Sequence, residues 1–347
     1  MIRTVETRVL VLRNGAQFSE LQFAPGSAPK IRCRDDAAIK MSMTGQFRPN
    51  PAVDWLSDEL QAVLVIDGVQ HPVGIFLPAA VEEKEENGLT TFSVEAYDRC
   101  WRVQTEFHDA KTEFAAGSVY LTNVENILAL AGIGSVMATA SSAVLPAGRV
   151  YIGETDLLEM ANEMLAEINY KALWFTASGA AVLEPYVEPT VNNIQHRLDG
   201  NDVKSLLLPA INRKTDVFDA PNVFTCICAT PDRSSVMQAT AVNNSPLSPY
   251  SVIRRRRRIQ KIVQVKSIAD QAALEAYAER LRDESMLRGE TIEVETALLP
   301  GFGVADVVGV HYGNFAALCV DKSWEMDFRP GGIMRHSMER VITNYEQ

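Results

Sequence analysis

The segment Ala62-Val63-Leu64-Val65-Ile66, Asp67-Gly68, then Val69-Gln70-His71-Pro72-Val73-Gly74-Ile75-Phe76-Leu77 constrains this chain more than any other feature. Two apolar runs separated by Asp-Gly predict a β-hairpin. Both central positions of its tight turn need positive φ, which glycine adopts freely and aspartate at small cost. Pro72 has no N–H to give to a ladder, so it belongs at an edge or a bulge of the return strand. Asn14-Gly15 supplies similar turn chemistry between Val9-Leu10-Val11-Leu12 and the apolar series Phe18, Leu21 and Phe23. Ile39, Met41 and Met43 alternate with polar residues, as do Phe92, Val94 and Ala96, while Glu82 to Asn87 reads as a charged, solvated tip. Closely spaced strands without a long helical pattern predict a small β-barrel over residues 1–105.

The chain has 347 residues, more than one core usually serves, so further domains are expected. Residues 106–187 read as an α+β subdomain. Thr122 and Glu125 have capping-box spacing, and Val124, Ile127, Leu128 and Ala131 form a short apolar face before Gly132. Ser135 to Ala143 looks like a loop. Thr155 can cap a second helix reaching about Asn169, with Leu157, Leu158, Ala161, Met164, Leu165 and Ile168 on its buried side. Ala172 to Thr176, Ser178-Gly179 and Ala181 to Leu183 then predict a hairpin that this helix covers.

Residues 188–347 read as a second β-barrel with an inserted helix over 267–288. Val223 to Cys228 is a compact apolar strand, and Ser234 to Tyr250 looks irregular. Ser267 and Asp270 cap the helix, Leu274, Tyr277, Ala278, Leu281 and Ser285 share one face, and Arg288-Gly289 ends it. Ile292, Val294 and Thr296 begin the next strand, Val304 to His311 another, and Trp324, Met326 and Phe328 a final one. The fold class expected is mainly β with an α+β insert: two small β-barrels flanking a helix-hairpin subdomain. Leu158, Leu165, Trp174, Phe175, Leu274 and Leu281 are the expected subdomain-packing residues.

Chemistry is sparse. The sequence lacks the glycine-rich phosphate loops, the nucleophile-elbow serine motif and His-Glu-x-x-His. Cys226-x-Cys228 could place two thiols on one strand face, but nothing in the spacing recruits His196, His311 or His336 to complete a metal site. No metal and no cofactor is therefore expected. Acidic pairs such as Asp35-Asp36, Asp58-Glu59 and Glu163-Glu167 arise by chance among 44 acids, and His108-Asp109 is half a constellation, so no catalytic residue is assigned. Five scattered cysteines give no disulfide framework, and a reducing compartment is expected. The charged N-terminus and the absence of 18 continuous apolar residues predict neither a signal peptide nor membrane insertion.

The run Arg254-Arg255-Arg256-Arg257-Arg258 is the exception to a bland surface. Five adjacent guanidinium groups repel one another and need counter-charges or water. In a strand they would alternate between faces. The run is either a solvated β-edge or insertion loop, or a contact for an acidic neighbouring subunit or partner, since arginine pairs bidentately with carboxylates. Direct DNA binding is disfavoured by a net charge of -11 and the lack of interleaved aromatics.

The order of these features resembles the baseplate or tail hub proteins of tailed bacteriophages and related contractile injection machines. Gly153 to Leu158, the helix to Ile168 and Tyr170 to Gly179 look like that family's helix-then-hairpin signature. Ser267 through Leu287 followed by Glu293-Val294-Glu295 is similar to its helix feeding a barrel strand. Leu299 to Val310 resembles its turn leading into Gly-Asp-x-Val, with Ala305 where that pattern has glycine. The likeness covers residues 1–325. It implies a non-enzymatic homotrimer in a virion tail or phage-like particle, assembled in the bacterial host cytoplasm. Its partners would be the tail tube or distal tail protein on one side and a central spike or tail fibre on the other, with DNA only as passing cargo. A carbohydrate- or receptor-binding tail protein and a tail-associated cell-wall hydrolase are the alternatives.

Overall fold

The computed structural model describes residues 3–108, 111–153, 155–202, 205–215, 221–228, 236–265, 268–287 and 290–341. The N-terminal segment forms β1 (Val5–Arg13), β2 (Ala16–Leu21), β3 (Lys30–Arg34), β4 (Met41–Phe47), β5 (Glu59–Ile66), β6 (Val69–Glu86) and β7 (Leu89–Tyr97). Asn14-Gly15 and Asp67-Gly68 turn the two expected hairpins, all four residues having positive φ. Pro72 sits at a bulge: Val63 pairs with Pro72 and Ala62 with Gly74, leaving Val73 as the extra residue.

The middle segment holds α1 (Arg99–Thr105), β8 (Lys111–Phe114), α2 (Tyr120–Leu130), β9 (Val136–Ala138), β10 (Arg149–Ile152), α3 (Leu157–Glu167), β11 (Trp174–Phe175) and β12 (Ala181–Leu183). Its caps differ from expectation. Helix α2 starts before Thr122, at Tyr120, with Val119 in the cap position and no side-chain bond there. Helix α3 is capped by Asp156, whose carboxylate accepts from the Glu159 N–H, and not by Thr155. Part of the segment read as a loop is β9, which pairs in parallel with β12. The apolar faces of α2 and α3 bury Val124, Ile127, Leu128, Leu158, Ala161 and Leu165 in one core with Phe175 and Leu183 of the hairpin.

The C-terminal segment contains β13 (His196–Asp199), β14 (Leu207–Thr215), β15 (Val223–Cys228), β16 (Met237–Val242), α4 (Val252–Arg255), β17 (Gln260–Val265) and α5 (Gln271–Leu287). Then follow β18 (Glu290–Ala297), β19 (Val307–Tyr312), β20 (Phe315–Asp327) and β21 (Ile333–Val341). The insertion is larger than one helix. Strand β15 pairs with β16 and, in parallel, with β17, and α5 covers this small sheet. Strand β16 lies within the stretch read as irregular. Asp270 caps α5 through the Ala273 N–H, while Ser267, Arg288 and Gly289, named for its ends, lie outside the described residues.

Strands dominate, interrupted by the helix-hairpin unit, in a mainly β architecture with an α+β insert. Among the described residues thirteen strands join in one sheet, along the path β14-β18-β21-β20-β3-β4-β7-β6-β5-β1-β2, with β13 and β19 branching beside β20. The seam is β3 against β20, where Ile31 faces Met326 and Cys33 faces Trp324. One core follows the sheet across that seam: Ile31, Phe47 and Phe76 bury with Val294, Trp324 and Phe328. No helix among the described residues is long and apolar enough to cross a membrane.

Candidate interaction surfaces

The arginine run is not a strand. Ser251 accepts a hydrogen bond from the Arg254 N–H (3.2 Å), Val252–Arg255 makes one helical turn, and Arg256 ends it with φ of 53°. Buried amide and hydroxyl groups hold the turn. The fully buried Asn222 donates to the carbonyls of Tyr250 and Arg257 (3.0 Å each) and accepts from the Ile259 N–H (2.8 Å). Asn243, also buried, donates to Ser248 Oγ at 2.9 Å. The arginines are thus presented from a fixed backbone. Arg254, Arg256, Arg257 and Arg258 are exposed and make no ion pair among the described residues, while Arg255 reaches over the Tyr250 ring. Leu247 (50% exposed) and Ile253 (57%) lie beside them in the chain.

A second charged feature is an arm. Strand β6 does not stop at Glu82 as a loop tip; it pairs with β7 as far as Glu86 opposite Leu89, and only Asn87-Gly88 turns. Strand β4 accompanies β7 only to Phe92, so beyond that point two strands project alone. Residues 79–89 are all exposed. Opposite Glu82, Glu83 and Glu85 stand Ser93, Phe92 and Thr90, none of them a cation. Glu86 pairs with Lys84 (2.6 Å), and the other three glutamates make no ion pair among the described residues.

A third cluster, not singled out as a unit from the sequence, lies at the seam. The Phe302 ring stacks on His196 (centroids 3.8 Å apart) and sits 4.6 Å from His336. Asp306 accepts from the Gly303 N–H (2.6 Å) and the Gln195 amide (2.9 Å) and contacts His196 Nε2 (3.0 Å). His336 Nδ1 meets the buried Asp321 at 2.7 Å, and Trp324 Nε1 donates to the Gly303 carbonyl at 3.0 Å. Burial pushes the Asp321 carboxyl above its usual range, against the opposing hydrogen bond from His336. The Asp321 and His336 side chains are closed to solvent, so this pair cannot meet a substrate. The cluster fastens the Leu299–Val310 segment to β13, β20 and β21. Ala305 has φ of 56°, a left-handed backbone that costs a side chain with Cβ about 1–2 kcal/mol.

The remaining sequence candidates scatter. Leu158, Leu165 and Phe175 lie in the helical core, Leu274 and Leu281 under α5, and Trp174 against the main sheet core. Trp174 Nε1 is buried without a hydrogen-bond partner beside a cavity of about 760 Å³ that Lys171, Tyr186, Arg280 and Lys322 help to line. Cys226 and Cys228 pack beneath α5, where burial raises the Cys226 thiol to about 11, and no group of three ligand-type residues among the described residues is arranged to hold a metal. Most members of the acidic pairs are held by cations: Asp58 by Arg13 (2.8 Å), Glu59 by Arg99 (2.7 Å) and Glu167 by Arg149 (2.7 Å). Asp36 pairs with Arg34 and Asp35 with Lys322, and Asp109 lies outside the described residues.

No protein-family model matches the chain. No curated protein matches it by sequence either. Solved structures do match. A tail protein from Neisseria meningitidis MC58 superposes with a TM-score of 0.66 at 12% identity, over 97% of this chain and 96% of that one. The 43 kDa tail protein of prophage MuSo2 from Shewanella oneidensis gives 0.65 at 11% identity, over 96% and 98%. An E. coli component of the type VI secretion system, described as similar to the T4 bacteriophage tail proteins gp27 and gp5, gives 0.56 at 10% identity, over 96% and 78%. Along nearly its whole length, then, the chain has the fold of phage tail and injection-machine baseplate proteins.

Proposed function

We propose that the chain is a structural hub protein of a phage or phage-like tail baseplate. Three copies form a ring that joins the sixfold tail tube to a threefold spike or fibre and leaves an axial channel. The observation that carries this reading is the shared fold with two tail proteins, one of them from a prophage, over at least 96% of each chain. The type VI secretion relative supports extending it to contractile injection machines. The partners are a second and third copy, the tube or distal tail protein, and the spike or fibre; DNA passes through as cargo. The place of action is the virion tail or a phage-like particle, assembled in the host cytoplasm. The role is mechanical, with no catalytic step and no cofactor.

The open ends of the sheet favour assembly. Among the described residues strands β2 and β14 each pair on one side only, and an annular contact is one way to cover such edges. Segments 1–105, 106–187 and 188–347 are the proposed building units, the first and third sharing a sheet. Three chains would carry a net charge of -33, which suits a channel that must not retain DNA. Light scattering tests the reading. A trimer of 38.3 kDa chains, about 115 kDa, is expected, alone or with neighbouring tail proteins present. A monomer that persists with those partners overturns it.

A further inference from the structure

Two surfaces of opposite sign are exposed on this chain, with Glu82, Glu83 and Glu85 on one and Arg254, Arg256, Arg257 and Arg258 on the other making no ion pair among the described residues. The arm carries Glu82, Glu83, Glu85 and Glu86 against one lysine, Lys84. The turn carries Arg254 to Arg258 with no acidic residue in the run. We infer that the acidic β6–β7 arm of one copy docks on the arginine turn of the next copy, an inference that rests on the ring reading above.

Four observations support it. First, the two surfaces belong to separate sheets, the arm to the large one and the turn to the β15-β16-β17 insertion, and no ion pair among the described residues joins them within a chain. Unlike, complementary patches on one chain make a head-to-tail contact, and such contacts close into rings when the rotation per subunit allows. Second, a two-stranded ribbon is marginal in water by itself, yet this arm extends past the last strand beside it, so a surface that supports it lowers its free energy. Third, the arginine backbone is fixed by buried Asn222, Asn243 and Ser251. Little ordering entropy is then lost when carboxylates bind, and guanidinium groups can hold them bidentately. Fourth, both surfaces carry exposed apolar side chains beside their charges: Leu89 (66%) at the arm's turn, Leu247 and Ile253 beside the arginines. A chain of net charge -11 repels its copies on average, so local opposite charge is what a specific contact between them requires.

The test is charge exchange on the full-length chain, with neighbouring tail proteins present if assembly needs them. Glu83→Lys with Glu85→Lys reverses the arm, and Arg257→Glu with Arg258→Glu reverses the turn. All four residues are exposed, and circular dichroism checks the fold of each variant. Light scattering over a concentration series should show each reversal alone raising the assembly midpoint about tenfold or more, the loss expected from a few exposed ion pairs. The combined variant should return to within about threefold of the unmodified chain, and assembly should weaken with salt. Trimers with unchanged midpoints in both single reversals overturn the docking and leave the ring standing. A wild-type chain that stays monomeric with its partners removes both. Short duplex DNA that binds the unmodified chain but not the turn reversal, with assembly unaffected, makes nucleic acid the occupant and also overturns the proposal.

Discussion

Asp98 shows how one buried carboxylate can serve two elements at once. One oxygen accepts from the Cys100 N–H to start α1 (2.9 Å), and the other accepts from the Met41 N–H at the head of β4 (2.8 Å). Burial outweighs those bonds and pushes the carboxyl up to about 6, against roughly 3.9 when unfolded. With the folded value raised, the native state holds the extra proton. The associated stability is fully present below about pH 4 and is lost as pH rises through about 6. Urea unfolding should therefore give the native protein a gain in stability between pH 7 and pH 5 that Asp98→Asn lacks. The variant should also lose about 1–3 kcal/mol, because its amide nitrogen cannot accept from one of the two N–H groups. Equal pH slopes for the two proteins would return Asp98 to the ordinary carboxylate range. Nothing in the local sequence reveals this residue, since its burial depends on β4 and α1 coming together across 57 positions.

At the level of elements, what could be read was what neighbours in sequence decide. The two hairpins turn where Asn-Gly and Asp-Gly stand, and the faces of α3 and α5 follow their 3.6-residue pattern. In the arginine run, with no apolar residue inside it, periodicity has nothing to report, and of the edge strand and insertion loop left open the chain takes a turn set by Ser251 and the left-handed Arg256. The α5 unit has its own small core, in which Leu274 packs with Cys226, Cys228 and Ile268. Leu274→Ala should cost about 2–5 kcal/mol through the cavity it leaves. Hydrogen exchange should quicken first across Val223–Cys228 and Gln260–Val265, with β1 and β5 still protected. Uniform loss of protection would mean that this unit has no separate stability.

For the whole molecule the decisive contact is β3 against β20, nearly three hundred residues apart. Trp324 is buried there, opposite Cys33 and bonded to the Gly303 carbonyl. Trp324→Ala should cost about 3–5 kcal/mol and lower the unfolding midpoint of N-terminal and C-terminal strands together, as one transition. Two transitions, with β1 to β7 unaffected, would make the two strand groups independent units. Such a seam shares load between the two strand groups through a continuous sheet and core.

The sequence by itself determined that strands dominate, which dipeptides turn them, which helix faces are apolar and that an α+β unit interrupts them. All of these depend on residues within a few positions of one another, where backbone sterics and side-chain periodicity act directly. The joining of β3 to β20, the packing of Phe302 between two histidines and the extension of β6 and β7 past β4 were decided by tertiary structure. These contacts close loops of tens to hundreds of residues. Their free energy comes from burying side chains whose partners no local spacing identifies.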